Sequence, residues 1–149
     1  MQFLSWHEVD FAGVVLAGLI GGYIMALAGL WAGAVPGLVA FDIADFGRRY
    51  MVSDRPSAWL LGFASHLVNS MLLVLLWAML IVPNLPWPHP LLGLAWGVFL
   101  ALALAGGLIV PLSGLGFMGR KAGGVSFAAT TLLLHALWGL LIGLLYTGR

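Results

Sequence analysis

Cysteine is absent from this sequence, so disulfides, thiolate metal ligands and iron–sulfur clusters are excluded. Charge is nearly as scarce. Asp, Glu, Lys and Arg make up 7% of the 149 residues, and none occurs between Asp10 and Asp42, from Pro56 to Gly119, or from Ala122 to Gly148. So little charge excludes a soluble globular domain, and no basic, aromatic-studded face is left for nucleic acid. The motifs of membrane hydrolases are missing too: there is no HExxH, no GxSxG and no pair of aspartates inside an apolar run, which leaves catalysis in the membrane poorly supported. The stretch from Met1 to Asp10 lacks a basic region and carries Glu8 and Asp10, so it does not read as a cleaved signal peptide.

What is present is apolar. Hydrophobic residues make up 62% of the chain, and the mean hydropathy is +1.09. A helix needs about 20 apolar residues to cross a hydrocarbon core of roughly 30 Å. The first and third uncharged runs hold one span each. The middle run holds two, because Pro83, Pro86, Pro88 and Pro90 form a break that no helix can cross. The spans predicted are 11–35, 57–82, 91–110 and 125–146. The expectation is an all-α integral membrane four-helix bundle in the lipid bilayer, a single transmembrane domain over residues 1–149.

Five of the six basic residues, Arg48, Arg49, Arg55, Arg120 and Lys121, fall in the two loops on one side, and the sixth is Arg149. Basic loops face the cytoplasm, so the chain is expected in the cell (inner) membrane with both termini outside. Trp6, Trp87 and Tyr146 then sit near the outer interface.

Span one carries Gly18, Gly22, Ala26, Gly29, Gly33 and Gly37, and span three carries Gly93, Gly97, Ala101 and Ala105. Small residues three or four apart allow close helix packing, or close approach of a flat ligand. Pro36 and Gly37 should end span one. Beyond them Asp45 is spaced to pair with Arg48 or Arg49 on an interfacial helix. The glycine-rich loop from Ser113 to Gly124 lacks the other features of a nucleotide site.

The two halves look duplicated. Aligning His66 with His135 brings Leu72 onto Leu141, Leu75 onto Leu144 and Leu76 onto Leu145, and each half has a basic loop before its histidine helix. The implied topology is a parallel repeat about an axis along the membrane normal. Spans two and four then run the same way and face each other across the bundle.

That placement brings two imidazoles together. His66 and His135 lie nine and ten residues into their spans, about 14 and 15 Å deep at 1.5 Å per residue. An ionisable group at mid-membrane is costly and faces the interior with a partner. Zinc wants three or four protein ligands, and no buried Cys, Asp or Glu supplies the rest. Haem iron wants two axial ligands, as offered here. Gly62 and Ser70 flank His66 by one turn, and Thr131 and Gly139 flank His135, leaving room for a porphyrin. Arg48, Arg49, Arg55, Arg120 or Lys121 would reach its propionates. The layout is similar to the core bundle of membrane cytochromes b, in which the second and fourth helices carry the haem ligands. The competing reading makes each histidine a packing residue, His66 bonded to a hydroxyl or carbonyl and His135 satisfied through Thr131. At the outer face His7 and His89 are weaker metal candidates, and Met25, Met71 and Met79 form no thioether cluster.

The segments His135-Ala-Leu-Trp-Gly-Leu-Leu-Ile-Gly-Leu-Leu-Tyr146, Pro111-Leu-Ser-Gly-Leu-Gly-Phe-Met-Gly119 and Gly62-Phe-Ala-Ser-His66 resemble a family of small, uncharacterised prokaryotic four-helix membrane proteins. Its members have a His in the second span and H-x-x-x-G-x-x-x-G-x-x-Y at the end of the fourth. Span two departs from the fourth-span pattern, with Ser70, Val74 and Trp77 at the Gly, Gly and Tyr positions. The resemblance implies the fold and the choice of His66 and His135, and no activity. The first reading is therefore a b-type cytochrome-like electron-transfer subunit with one haem b between His66 and His135 and a quinone as candidate partner. The alternatives are a cofactor-free accessory or assembly subunit of a larger membrane complex and a small proton or metal transporter; the protein partners expected are subunits of a larger membrane complex or a second copy in a homodimer.

Overall fold

The computed structural model describes residues 4, 5 and 7–148, without the side chains of 51 and 52. Trp6 lies outside the described residues. Helix α1, Phe11–Trp31, starts where the Asp10 carboxylate accepts the Gly13 N–H at 2.9 Å, an N-cap that satisfies one of the donors a helix start leaves over. It tightens into a 3₁₀ turn at Ala32–Ala34 and stops before Pro36. Gly37 then takes φ +87°, a left-handed turn open to glycine at no steric cost. Helix α2, Ile43–Gly47, is capped by Asp42, which accepts from the Ala44 and Asp45 N–H groups, and it widens into a π turn at Arg48–Val52. Pro56 opens a short turn into α3, Trp59–Leu80.

Helix α4 begins at His89–Leu100, continues as a π-helical stretch at Ala101–Ile109 and closes with Val110–Leu112. Pro111 has no N–H for the carbonyls one turn before it, and the ladder there widens, with Val110 N–H bonding back to the Ala105 carbonyl. A side chain at Gly106 would strike the Met118 sulfur, and one at Gly107 would press on the Leu102 carbonyl at 2.6 Å. Helix α5 is Val125–Leu145.

Four helical runs are long and apolar enough to cross a membrane: Phe11–Ala34, Pro56–Asn84, His89–Leu112 and Val125–Leu145. They agree with the predicted spans to within two residues at each end. Leu16, Leu60, Leu72, Leu102, Leu133 and Leu144 are exposed on the outer faces, as lipid contact requires. Asp10, His89 and Tyr146 gather at one end of the bundle. Val39 N–H bonds to Thr130 Oγ1 at 3.0 Å at the other, where the two basic loops lie.

Helix α1 packs on α3 and α5, α5 also packs on α4, and α2 lies across α3. The α4–α5 contact is made by glycine against glycine: Cβ atoms on Gly93 or Gly139 would collide with the facing backbone, as would one on Gly97 with the His135 carbonyl. The small-residue stripes are thus taken up by helix packing. The fully buried Val74, Trp77, Leu92, Ile142 and Tyr146 fill the end that holds the chain termini. In contrast, α3 and α4 hardly meet, and Trp96 Nε1 reaches across to the Leu73 carbonyl at 3.2 Å. A two-fold repeat would map the α1–α5 interface onto α4–α3. The one is packed and the other open, so the symmetry suggested by the sequence is broken at that seam.

Candidate functional site

The open seam leads to a cavity of about 120 Å³ lined by His66, Asn69 and Ser70 of α3, Leu104 and Ala105 of α4, and Thr131, His135 and Trp138 of α5. Phe41, Phe46 and Phe127 close it toward the basic loops, with the Phe41 ring edge-on to Phe127 at 5.5 Å. Both histidines chosen from the sequence therefore reach one space.

They reach it in different ways. His66 Nε2 donates to the Gly22 carbonyl of α1 at 3.0 Å, which leaves Nδ1 with its lone pair. Four residues on, Ser70 Oγ donates to the Gly18 carbonyl at 2.7 Å. The two side chains thus form a matched ladder that ties α3 to α1. His135 Nδ1 donates within its own helix to the Thr131 carbonyl at 2.8 Å, leaving Nε2 as the open nitrogen. Thr131 Oγ1 donates to the Phe127 carbonyl. Trp138 Nε1 donates to Ser70 Oγ at 2.7 Å and so closes α5 onto α3. Asn69 is the lining residue that stands exposed at the cavity mouth.

The other candidates lie elsewhere. Gly62 accommodates α2, for a side chain there would strike the Ala44 carbonyl and the Arg48 backbone. Gly139 seats Gly93 of α4. Arg48 is buried, its Nε 3.0 Å from Asp45 and its Nη1 on the Asp54 carbonyl. Arg49 pairs with the same carboxylate at 3.0 Å. The Arg48 guanidinium, with that of Arg49, holds the Asp45 carboxyl below its usual range. Arg120 is exposed and does not line the cavity. At the far end His89 Nδ1 donates to the Tyr146 carbonyl at 3.2 Å, and its ring lies 5.8 Å from Trp77 and 5.9 Å from Tyr146. His7 is exposed. Among the described residues no three His, Cys, Asp or Glu side chains come together as a metal site.

In this conformation the cavity has no room for a haem. A cavity of roughly 150 Å³ holds one benzene ring, and the volume here, about 120 Å³, is smaller. The positions meant to admit a porphyrin, Gly62 and Gly139, are filled by backbone, and His66 spends Nε2 on α1. The sequence did not reveal the aromatic floor or the Ser70–Trp138 link, because both depend on how loops and helices dock across more than sixty positions. No protein-family model matches the chain, and neither curated proteins nor solved structures give a significant match.

Proposed function

We propose that the protein is a membrane-embedded binding subunit that takes up a small amphiphile from the bilayer and works inside a larger assembly rather than as a complete enzyme. The observation that carries this reading is the pair of imidazoles, each with one unbonded ring nitrogen, on a single apolar cavity at the open seam. A concave, mostly apolar space with a few convergent polar groups is the usual form of a small-molecule site. The cavity lies toward the basic loops, which by the positive-inside rule supports a cytoplasmic-side position in the cell membrane for it. Organic extraction of the purified protein tests the reading: mass spectrometry should find a bound amphiphile in the wild type that is depleted in the His66→Ala, His135→Ala double variant. An empty extract from the wild type would count against it.

A cytochrome-like form is the second reading, favoured by the two histidines sharing one cavity. It requires His66 to release the Gly22 carbonyl and the cavity walls on α3, α4 and α5 to move apart. A reduced-minus-oxidised visible spectrum after expression with ample haem decides it: a low-spin b-type spectrum lost in both single variants would replace the first reading.

A further inference from the structure

Within the binding reading just given, on which this inference rests, we infer that the ligand is a neutral hydroxylated aromatic ring with an aliphatic tail, of the alkyl-hydroquinone or phenolic-lipid class. The ring enters sideways between α3 and α4.

Four observations converge on that chemistry. The cavity volume of about 120 Å³ approaches the roughly 150 Å³ that accommodates benzene, so one ring seated from the open side, with its substituents toward the seam, is the largest flat guest in scale with it. Its walls include Phe41, Phe46, Phe127 and Trp138, and aromatic faces and edges favour a flat aromatic guest. The two uncommitted imidazole nitrogens, Nδ1 of His66 and Nε2 of His135, are acceptors in neutral rings, so the guest must bring hydrogen-bond donors. Hydroxyl groups on the ring supply them.

The fourth observation is the route. Helices α3 and α4 hardly meet, and Asn69 stands exposed at the lip, its side-chain amide without a hydrogen bond among the described residues. An unpaired amide at membrane depth is costly, and a hydroxyl passing or resting at the lip satisfies it. A tail leaves by the same opening into the lipid.

The same features argue against other amphiphiles. No cation lines the cavity, and the nearby guanidinium of Arg48 is committed to Asp45 and the Asp54 carbonyl. A phosphate headgroup or a fatty carboxylate would therefore be buried without a counter-charge, which is expensive.

The test is binding of an alkyl hydroquinone and of its dimethyl ether to the purified protein, under anaerobic conditions, read by quenching of tryptophan fluorescence. The ether keeps the ring and tail and lacks the donors. The expected result is at least about tenfold tighter binding of the hydroquinone, with that advantage lost in His135→Ala and in His66→Ala. Comparing the two probes on the wild type keeps the test sound if a histidine variant fails to fold. Equal binding of both probes would overturn the ligand class while leaving a cavity that binds amphiphiles. Binding of neither would take the binding reading down with it. Ala105→Trp, on the α4 lip, should weaken the hydroquinone about tenfold, whereas Leu16→Trp, on the lipid face of α1, should not. An unaffected Ala105→Trp would overturn the entry route.

Discussion

Ser70 shows how much a single small polar residue decides inside this bundle. It donates to the Gly18 carbonyl and accepts the Trp138 indole N–H, both at 2.7 Å, and so joins three helices with one oxygen. Ser70→Ala would leave the buried indole N–H without a partner. Hydrogen bonds between membrane helices average about 0.6 kcal/mol and reach about 1.7, and Ser70→Ala should fall toward the upper end. Equilibrium unfolding in mixed micelles measures it, and an unchanged stability would mean that the link carries no load. Asp45 gives a prediction about pH. Its folded-state pKa is depressed, first by Arg48, so the stability it adds is present above the ordinary carboxylate range and is lost as pH falls through the folded value. Asp45→Asn should therefore be less stable than the wild type at neutral pH, with the gap closing below about pH 4. The carboxylate is about one-third exposed, which keeps the effect small. At this scale the sequence pointed to His66 and His135 as lone ionisable groups in apolar runs. It was silent on which ring nitrogen each commits, because those partners are carbonyls, which every residue has.

Elements follow local rules more closely than their contacts do. Span limits were legible from charge-free length and proline, and Asp45 was correctly paired with the arginines one turn on. The π-helical stretch of α4 was not, since it is a choice among hydrogen-bond partners of the same backbone and leaves no periodic mark. Nor was the docking of α2 on Gly62, which needs two backbones to approach across a loop. Gly139→Ala tests the glycine seam between α4 and α5. Its Cβ has no room against Gly93, and forced overpacking costs typically 1–3 kcal/mol, so the variant should unfold earlier by about that amount in the same assay. Gly148 also faces its neighbours but lies beyond α5, and a change there should leave the α4–α5 seam intact.

Taken whole, the molecule is a bundle with one packed side and one open side. Its orientation is open to direct measurement, because the absence of cysteine provides a clean background for Ser57→Cys and Thr147→Cys. A membrane-impermeant maleimide applied to intact cells should label the second and not the first, and the reverse pattern would invert the topology. By itself the sequence determined that four apolar helices are long enough to cross a membrane, which loops carry the charge, and that two of those helices carry one imidazole each. Burial in lipid and backbone hydrogen bonding impose those features residue by residue. Only the tertiary structure decided that the glycine stripes are spent on packing, that the two halves part company at α3 and α4, and that both histidines open onto one small aromatic-walled cavity. Those outcomes depend on which helix faces meet, and in a chain this rich in Leu, Ala and Gly many faces are nearly equivalent until close packing selects among them.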